Sequence, residues 1–411
     1  MVASTDTKFY VHTNNNAPQL QNAYGSMIQV LDACLVNGIQ LGAVSSLTAS
    51  GTTVTATFST AHNLMQYQVI QIAGAAQSEY NGQHRVLTVP NSTTVTFALA
   101  AAPTASPATG TISASLPPLG WEKLFSSAGK AAYRSANLLL PSRPFLRVVD
   151  ELDPVWTSTY AKYAKVGIVE NMTDIDTLLG VQAPYDSAAP NKNWVGTGSG
   201  TAAYNGWAKW YYAHQYTPNT ATGDSGTSIS AGNRAWCIVG TGDFFYILPA
   251  MLPSSTQALP YGFGWFKTLL NTDNSSTFLS ATVNYVAASS SYTKQDFTAL
   301  VGNGANNKLQ LQRGYAQTAN YTTAGVMSLG VAATVVSGSS NYVGASSLAN
   351  VSPFAPVFIN ESVLRGEMPN FNWLFQNKPY TNYQVIEKSN SLYIAVDCST
   401  AGQCVLNIGV L

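Results

Sequence analysis

The chain has 411 residues, of which 46% are apolar and only 9% charged, and its 19 Lys+Arg balance 19 Asp+Glu to a formal net charge of zero. About 25% charge is usual for a soluble protein. Disordered chains need more charge and less hydrophobicity, and generic nucleic-acid binding needs a basic excess, so both classes are set aside.

Residues 1–43 open with a polar, Asn-rich arm that carries Phe9 and Tyr10, and then switch to a helical pattern. Ala23, Met27, Val30, Leu31, Cys34 and Leu35 recur at spacings of three and four, which places them on one face. Asn37-Gly38 supplies the C-terminal stop. The first residues lack the charged-then-apolar order of a secretory signal, and no run approaches the ~20 apolar residues of a membrane span. The expectation is a protein made in the cytosol with no membrane partner.

From residue 44 the period changes to two. Residues 53–58 and 66–72 alternate, Asn81-Gly82 marks a tight turn ahead of 85–89, and Asn91-Ser92 separates that run from 94–99. Residues 110–114 close the set. Short strands at this spacing predict a small β-sandwich module inserted at 44–116. Residues 117–411 read as the main β-rich domain, with a subdivision near 270–320 left open. Its candidate strands are 144–149, 164–169, 234–239, 244–248, 355–359 and 391–396. Residues 236–239 and 244–248 flank Gly-Thr-Gly-Asp as a hairpin. Residues 183–233 and 318–352 read as long polar loops, which are commonly functional on a β scaffold. The predicted class is therefore mainly β, sandwich- or barrel-like, with one N-terminal helix.

Four cysteines are too few for a disulfide framework. Cys398 and Cys404 flank a short turn where a bridge is geometrically open, although cytosolic thiols are usually reduced and buried. The four histidines are scattered without zinc-ligand spacing, and no cofactor motif is complete, so neither metal nor cofactor is expected. Gly196-Thr-Gly-Ser-Gly200 lacks the strand, helix and Lys-Ser/Thr pair of a phosphate loop. Asp150, Glu151, Asp153, Asp174 and Asp176 could supply paired carboxylates for glycoside hydrolysis. Turn and helix capping is the commoner use of such residues. Trp194, Trp207, Trp210, Tyr211 and Tyr212 cluster in the glycine-rich region; with Phe9 and Tyr10 they are the candidate interface residues, an interface or core role outweighing a sugar platform. His214 beside them reads as packed rather than as a base.

The segment 19–38, with Gly-Ser-Met-Ile-Gln-Val-Leu-Asp-Ala-Cys-Leu-Val-Asn-Gly at 25–38, resembles the N-terminus of a group of uncharacterised tailed-bacteriophage and prophage virion proteins. So do 119–134 (Leu-Gly-Trp-Glu-Lys-Leu-Phe-Ser-Ser-Ala-Gly-Lys-Ala-Ala-Tyr-Arg), 169–177 (Val-Glu-Asn-Met-Thr-Asp-Ile-Asp-Thr), the hairpin 236–248 with Tyr-Gly-Phe-Gly-Trp-Phe at 261–266, and Leu-Arg-Gly-Glu-Met-Pro at 364–369. Gly264-Trp265-Phe266 departs from the pattern, in which an acidic residue follows the glycine. The inserted module is similar to sandwich modules of phage tail and capsid accessory proteins.

The resemblance implies a structural component of the virion, assembled in the bacterial cytoplasm with copies of itself and sibling proteins in the tail, neck, baseplate or capsid decoration. It implies no enzyme. A host-surface glycan-binding protein is the alternative, and a polysaccharide depolymerase a remoter one. The arm with Phe9 and Tyr10 is suited to adding a strand to a neighbour's sheet. The module at 44–116 is expected to face outward and to be removable without unfolding the rest.

Overall fold

The computed structural model describes residues 3–199, 206–215, 224, 227–283, 298–301, 308–328, 354–374, 378–399 and 402–411. Within them the chain is mainly β, in antiparallel sheets, with one short α-helix near the N-terminus. Parts of the two long loops expected at 183–233 and 318–352 lie outside the described residues, as does much of 284–307.

The helix spans Ser26–Leu31 and buries Met27, Val30 and Leu31. It continues as a π-turn over Asp32–Asn37, with Cys34 and Leu35 inward and the Gly38 amide donating to the Ala33 carbonyl at 2.8 Å. The apolar spacing holds one face across both windings, so the change of pitch leaves no trace in the hydrophobic pattern.

Residues 39–116 form their own seven-stranded sheet, in the order Gly82–Arg85, Val69–Ala75, Gly110–Leu116, Ile39–Ser50, Thr53–Phe58, Thr94–Ala98, Thr88–Asn91. The alternation read in the sequence is the packing: Val54, Ala56 and Phe58 point inward, as do Val95 and Phe97. The run 85–89, expected as one strand, is two. The Val86 amide donates to the Gln68 carbonyl and the Leu87 amide to the Thr96 carbonyl, so the chain crosses here from one edge of the sheet to the other. At the bulge in Val69–Ala75, Gly74 (φ +86°) and Gly110 (φ +114°) meet so closely that a Cβ on Gly74 would stand 2.0 Å from the Thr111 carbonyl oxygen. Neither position admits a side chain.

The junction of this sheet with the rest of the chain is buried and polar. Asn14 Nδ2 donates to Gln68 Oε1 at 2.8 Å while Gln68 Nε2 donates back to Asn14 Oδ1 at 2.9 Å. Gln68 Nε2 also reaches the Phe9 carbonyl at 3.1 Å. The buried Arg85 donates to three carbonyls, those of Ser4 (2.6 Å), Tyr67 (2.7 Å) and Thr7 (3.1 Å). Burial draws the Arg85 pKa down to about 10, against the nearby Asp6. Tyr67 donates its hydroxyl to Glu387. A guanidinium satisfied by carbonyls fixes register at the cost of desolvation, which makes this junction specific.

A second seven-stranded sheet runs Thr282–Val283, Ala208–Ala213, Lys162–Met172, Phe145–Val149, Lys130–Ser135, Trp121–Ser127, with Leu178–Ala183 paired to Lys162–Met172. The largest, of 13 strands, starts with Lys8–Val11 beside Trp236–Gly240 and the Phe244–Pro249 hairpin, and ends with Gln403–Val410, Ser391–Asp397 and Val385–Lys388. It turns back on itself: Tyr246 donates its hydroxyl to the Pro369 carbonyl at 2.8 Å, and its ring lies 5.3 Å from that of Phe371. Trp121 links the two sheets, edge-on to Phe245 at 5.3 Å and tilted on Phe263 at 5.7 Å. Such ring pairs add ~0.5–1.5 kcal/mol beyond the area they bury.

Lys8–Val11 corrects the expectation of a free N-terminal arm. Phe9 pairs with Val239 and Tyr10 with Ile238, so the strand that was expected to join a neighbour's sheet already edges the chain's own. Cys398 and Cys404 do lie across a hairpin, as free buried thiols with their sulfurs 3.5 Å apart.

Candidate functional site

The sequence-derived aromatic candidates do not form a surface. Phe9, Tyr10, Trp194, Trp207, Trp210, Tyr211 and Tyr212 are all buried, Trp207 being the most exposed of them at 7%. The segment read as loop around Trp207–Tyr212 contains the strand Ala208–Ala213, covered on both faces. Trp210 donates to the Ser280 carbonyl at 2.9 Å and stacks on Tyr261, while Tyr212 donates to Asp150 at 2.6 Å. Tyr211, on the opposite face, donates to Asp224 at 2.8 Å and joins Ala161, Tyr163 and Met251. Trp194 packs over Gly167, where a Cβ would stand 2.6 Å from its ring, with the Arg147 guanidinium 4.5 Å from its centroid. Lys192 lies over Trp207 at 4.5 Å. These rings hold the second sheet together and present no stacking platform to a ligand.

Four of the five carboxylate candidates are likewise engaged within the fold, and the fifth, Glu151, is half-buried next to Asp150. Asp150 accepts from the Met27 amide at 3.0 Å and caps the helix; burial pushes its pKa up to about 6, against the hydrogen bonds from Tyr212 and the helix amides. Asp153 pairs with Lys165 at 2.8 Å and accepts from the Gly196 amide at 2.7 Å. The glycine-rich loop beginning at Gly196 thus does hold an anion, and the anion is the chain's own Asp153; Gly200 lies outside the described residues. Asp174 accepts from the amides of Asp176 and Thr177 in a turn, and Asp176 pairs with Lys130 and Arg147. His214 is buried 3.7 Å from Asp224. Burial raises the Asp224 carboxyl, but Lys209 and His214 beside it hold it below the usual range. No group of three or more His, Cys, Asp or Glu placed to hold a metal ion occurs among the described residues.

The concavity that does open to solvent is elsewhere. An open cleft of about 820 Å³ lies where five stretches of chain converge. His12 and Thr13 follow the first strand, Gln19 and Asn233 flank the Leu20–Arg234 bridge, Pro253–Thr256 follow the Phe244–Pro249 strand, and Asn382-Tyr383 precede Val385–Lys388.

Each wall is fixed from behind. The His12 amide donates to the Trp236 carbonyl at 3.0 Å, and Gln19 Nε2 returns to the His12 carbonyl at 3.0 Å. Asn233 Oδ1 accepts from Gln21 Nε2 at 3.0 Å. Asp397, buried behind the opposite wall, accepts from Thr256 Oγ1 (3.1 Å), Gln403 Nε2 (2.8 Å) and Lys378 Nζ (2.5 Å), and its amide donates to Asn382 Oδ1. The Tyr383 amide donates to the Ala395 carbonyl at 2.8 Å, and its ring lies 6.0 Å from that of His12, tilted by 57°.

The lining is hydroxyl, amide, imidazole and phenol beside the aliphatic Ala235 and Pro253, and no Lys, Arg, Asp or Glu is among the described lining residues. Burial lowers the His12 pKa, against a hydrogen bond with the Trp236 carbonyl, which favours the neutral ring with one donor and one acceptor nitrogen. Its Nδ1 is buried with no partner among the described residues. Sequence reasoning passed over this site because its members are single polar residues drawn from separate segments. Apart from Gln19, at the edge of the segment 19–38, none belongs to a motif.

The described residues define a mainly β protein built of antiparallel sheets. No family model matches the chain, and no curated protein does. Among solved structures it is similar to the phage phi92 endosialidase, at 11% identity and a TM-score of 0.17, over 90% of this chain and 51% of that one. The chain thus spans about half the length of that protein.

Proposed function

We propose that the chain is a structural component of a tailed-bacteriophage virion that assembles with copies of itself and with neighbouring virion proteins. The observation that carries this reading is where the family-like segments sit. All five pack on one another.

From segment 19–38, the carbonyls of Cys34 and Leu35 accept from the amides of Leu119 and Gly120, and Asp32 accepts from the Tyr133 hydroxyl at 2.7 Å. Trp121 packs on Phe245 and Phe263, Lys130 pairs with Asp176, and Pro369 accepts from Tyr246. Residues that resemble a family and together form a scaffold, with Gln19 at the edge of its segment the one among them that lines the open cleft, suit a shared architecture better than a shared reaction. The reading is therefore non-enzymatic.

Assembly needs a sticky exterior, and one loop provides it. Between the strands Lys130–Ser135 and Phe145–Val149, Leu138 and Leu139 are 78% and 92% exposed. The loop carrying them is held in place, since Asn137 Nδ2 donates to Asp243 at 2.9 Å and Arg143 to the Ser135 carbonyl at 3.0 Å. Covering such a pair is worth ~1.5–3 kcal/mol per leucine, and symmetry multiplies weak contacts.

The test is a density map of the intact particle with mass spectrometry of its proteins. The expected result is the chain at a symmetric position in integral copy number; its absence from mature particles would overturn the reading.

A further inference from the structure

We propose that the cleft between His12 and Tyr383 binds a neutral polyhydroxyl ligand, an oligosaccharide of uncharged sugars. This goes beyond the virion assignment and does not depend on it.

With no Lys or Arg among the described lining residues, a phosphate, sulfate or carboxylate finds no counter-ion there. The Asp397 carboxylate, bonded to the lining residue Thr256, is engaged by Thr256, Gln403 and Lys378. A ligand that hydrogen-bonds without charge is left.

The cleft balances donors and acceptors. Thr13 and Ser254 offer hydroxyls that serve as either; a neutral imidazole offers one of each. Asn233 keeps its Nδ2 as a donor without a partner among the described residues, since its Oδ1 is taken by Gln21. The Nδ1 of His12, buried and without a hydrogen-bond partner among the described residues, is the kind of group that native structures satisfy with a ligand or water. Sugar hydroxyls meet donors and acceptors alike.

A volume of about 820 Å³ falls within the ~300–1,000 Å³ of ligand sites. The half-buried rings of His12 and Tyr383 provide a surface for the C–H face of a pyranose. The aliphatic lining is Ala235 and Pro253 alone among the described residues, too little for the apolar anchors that hold a protein partner.

The full chain is tested on an array of neutral hexose and N-acetylhexosamine oligosaccharides printed beside sialylated and sulfated counterparts. Retention of neutral members is expected. Asn233→Ala combined with Thr13→Val, both at exposed positions, should weaken that retention about tenfold while leaving the melting temperature unchanged. Silence across the neutral panel, a preference for the anionic members, or retention that the double variant leaves intact would each overturn the proposal. So would loss, in the double variant, of binding to a virion protein in place of a glycan.

Discussion

Asn14 and Gln68 exchange a reciprocal pair of amide hydrogen bonds, 2.8 and 2.9 Å long, across the buried junction between the N-terminal segment and the seven-stranded sheet of residues 39–116. Asn14→Ala takes one of two hydrogen bonds from each end of Gln68 and also removes those of Asn14 to the Val11 amide and the Asn63 carbonyl, with an expected loss of about 2–3 kcal/mol in urea unfolding. In a double-mutant cycle with Gln68→Ala, the two changes should couple by about 1–2 kcal/mol. Additive losses would show that the pair is not a unit. The same junction bears on removing residues 44–116, which the change in sequence texture makes look separable. Excision takes Gln68 and Arg85 from the carbonyls of Phe9, Ser4 and Thr7, so the shortened chain is expected to aggregate or melt without cooperativity.

Asp150 sets a pH dependence of definite sign. Its pKa of about 6 in the folded chain exceeds the ordinary value of 3.8. A raised carboxyl contributes stability that is fully present below the ordinary value and is lost as pH rises through about 6, a loss of roughly 3 kcal/mol. His12, His62 and His84 act oppositely. Burial lowers all three from 6.5, so their contribution is present above that value and lost as pH falls below it. Melting temperatures of the wild type and Asp150→Asn between pH 4 and 7 separate the terms. The variant should lose the component that falls with rising pH and keep a steady decline toward acid; parallel curves would show that Asp150 does not titrate there.

Gly74 and Gly51 both have positive φ, yet they should respond differently to alanine. At Gly51 (φ +60°) a Cβ meets nothing within 4 Å, and Gly51→Ala should cost about 1 kcal/mol of backbone strain. At Gly74 the Cβ would strike backbone at 2.0 Å, and Gly74→Ala should cost more than about 3 kcal/mol. Equal melting temperatures for the two variants would contradict the bulge geometry.

The Leu138–Leu139 tip separates folding from assembly. Because both side chains already face solvent, changing both to serine should alter monomer stability by no more than about 0.5 kcal/mol. Incorporation into particles, or self-association measured by sedimentation, should fall sharply. Unchanged incorporation would remove the tip from the assembly surface.

The strands that alternate between water and core were legible from sequence, as 53–58 and 94–98 illustrate, because one covered face writes a period of two. Ala208–Ala213 was not: covered on both faces and set in glycine-rich surroundings, it shows no alternation and passes for loop. The same burial explains why its Trp and Tyr residues, read as anchors for a partner, anchor the chain to itself. Strand edges near 234–239 shifted because Arg234 forms a lone bridge with Leu20 before the ladder starts at Trp236. The cleft left no local mark, since His12, Asn233 and Tyr383 meet through three stretches of chain that only the folded sheet brings together.

The wide winding at Asp32–Asn37 has an evolutionary reading. A π-turn carries one residue more than an α-turn, so it is where a helix can host an insertion without breaking. A shorter cousin lacking that residue would wind evenly through this stretch. Any gap that opens in the N-terminal part of an alignment should therefore fall here, and the docking of Cys34 and Leu35 onto Leu119 and Gly120 should vary with it.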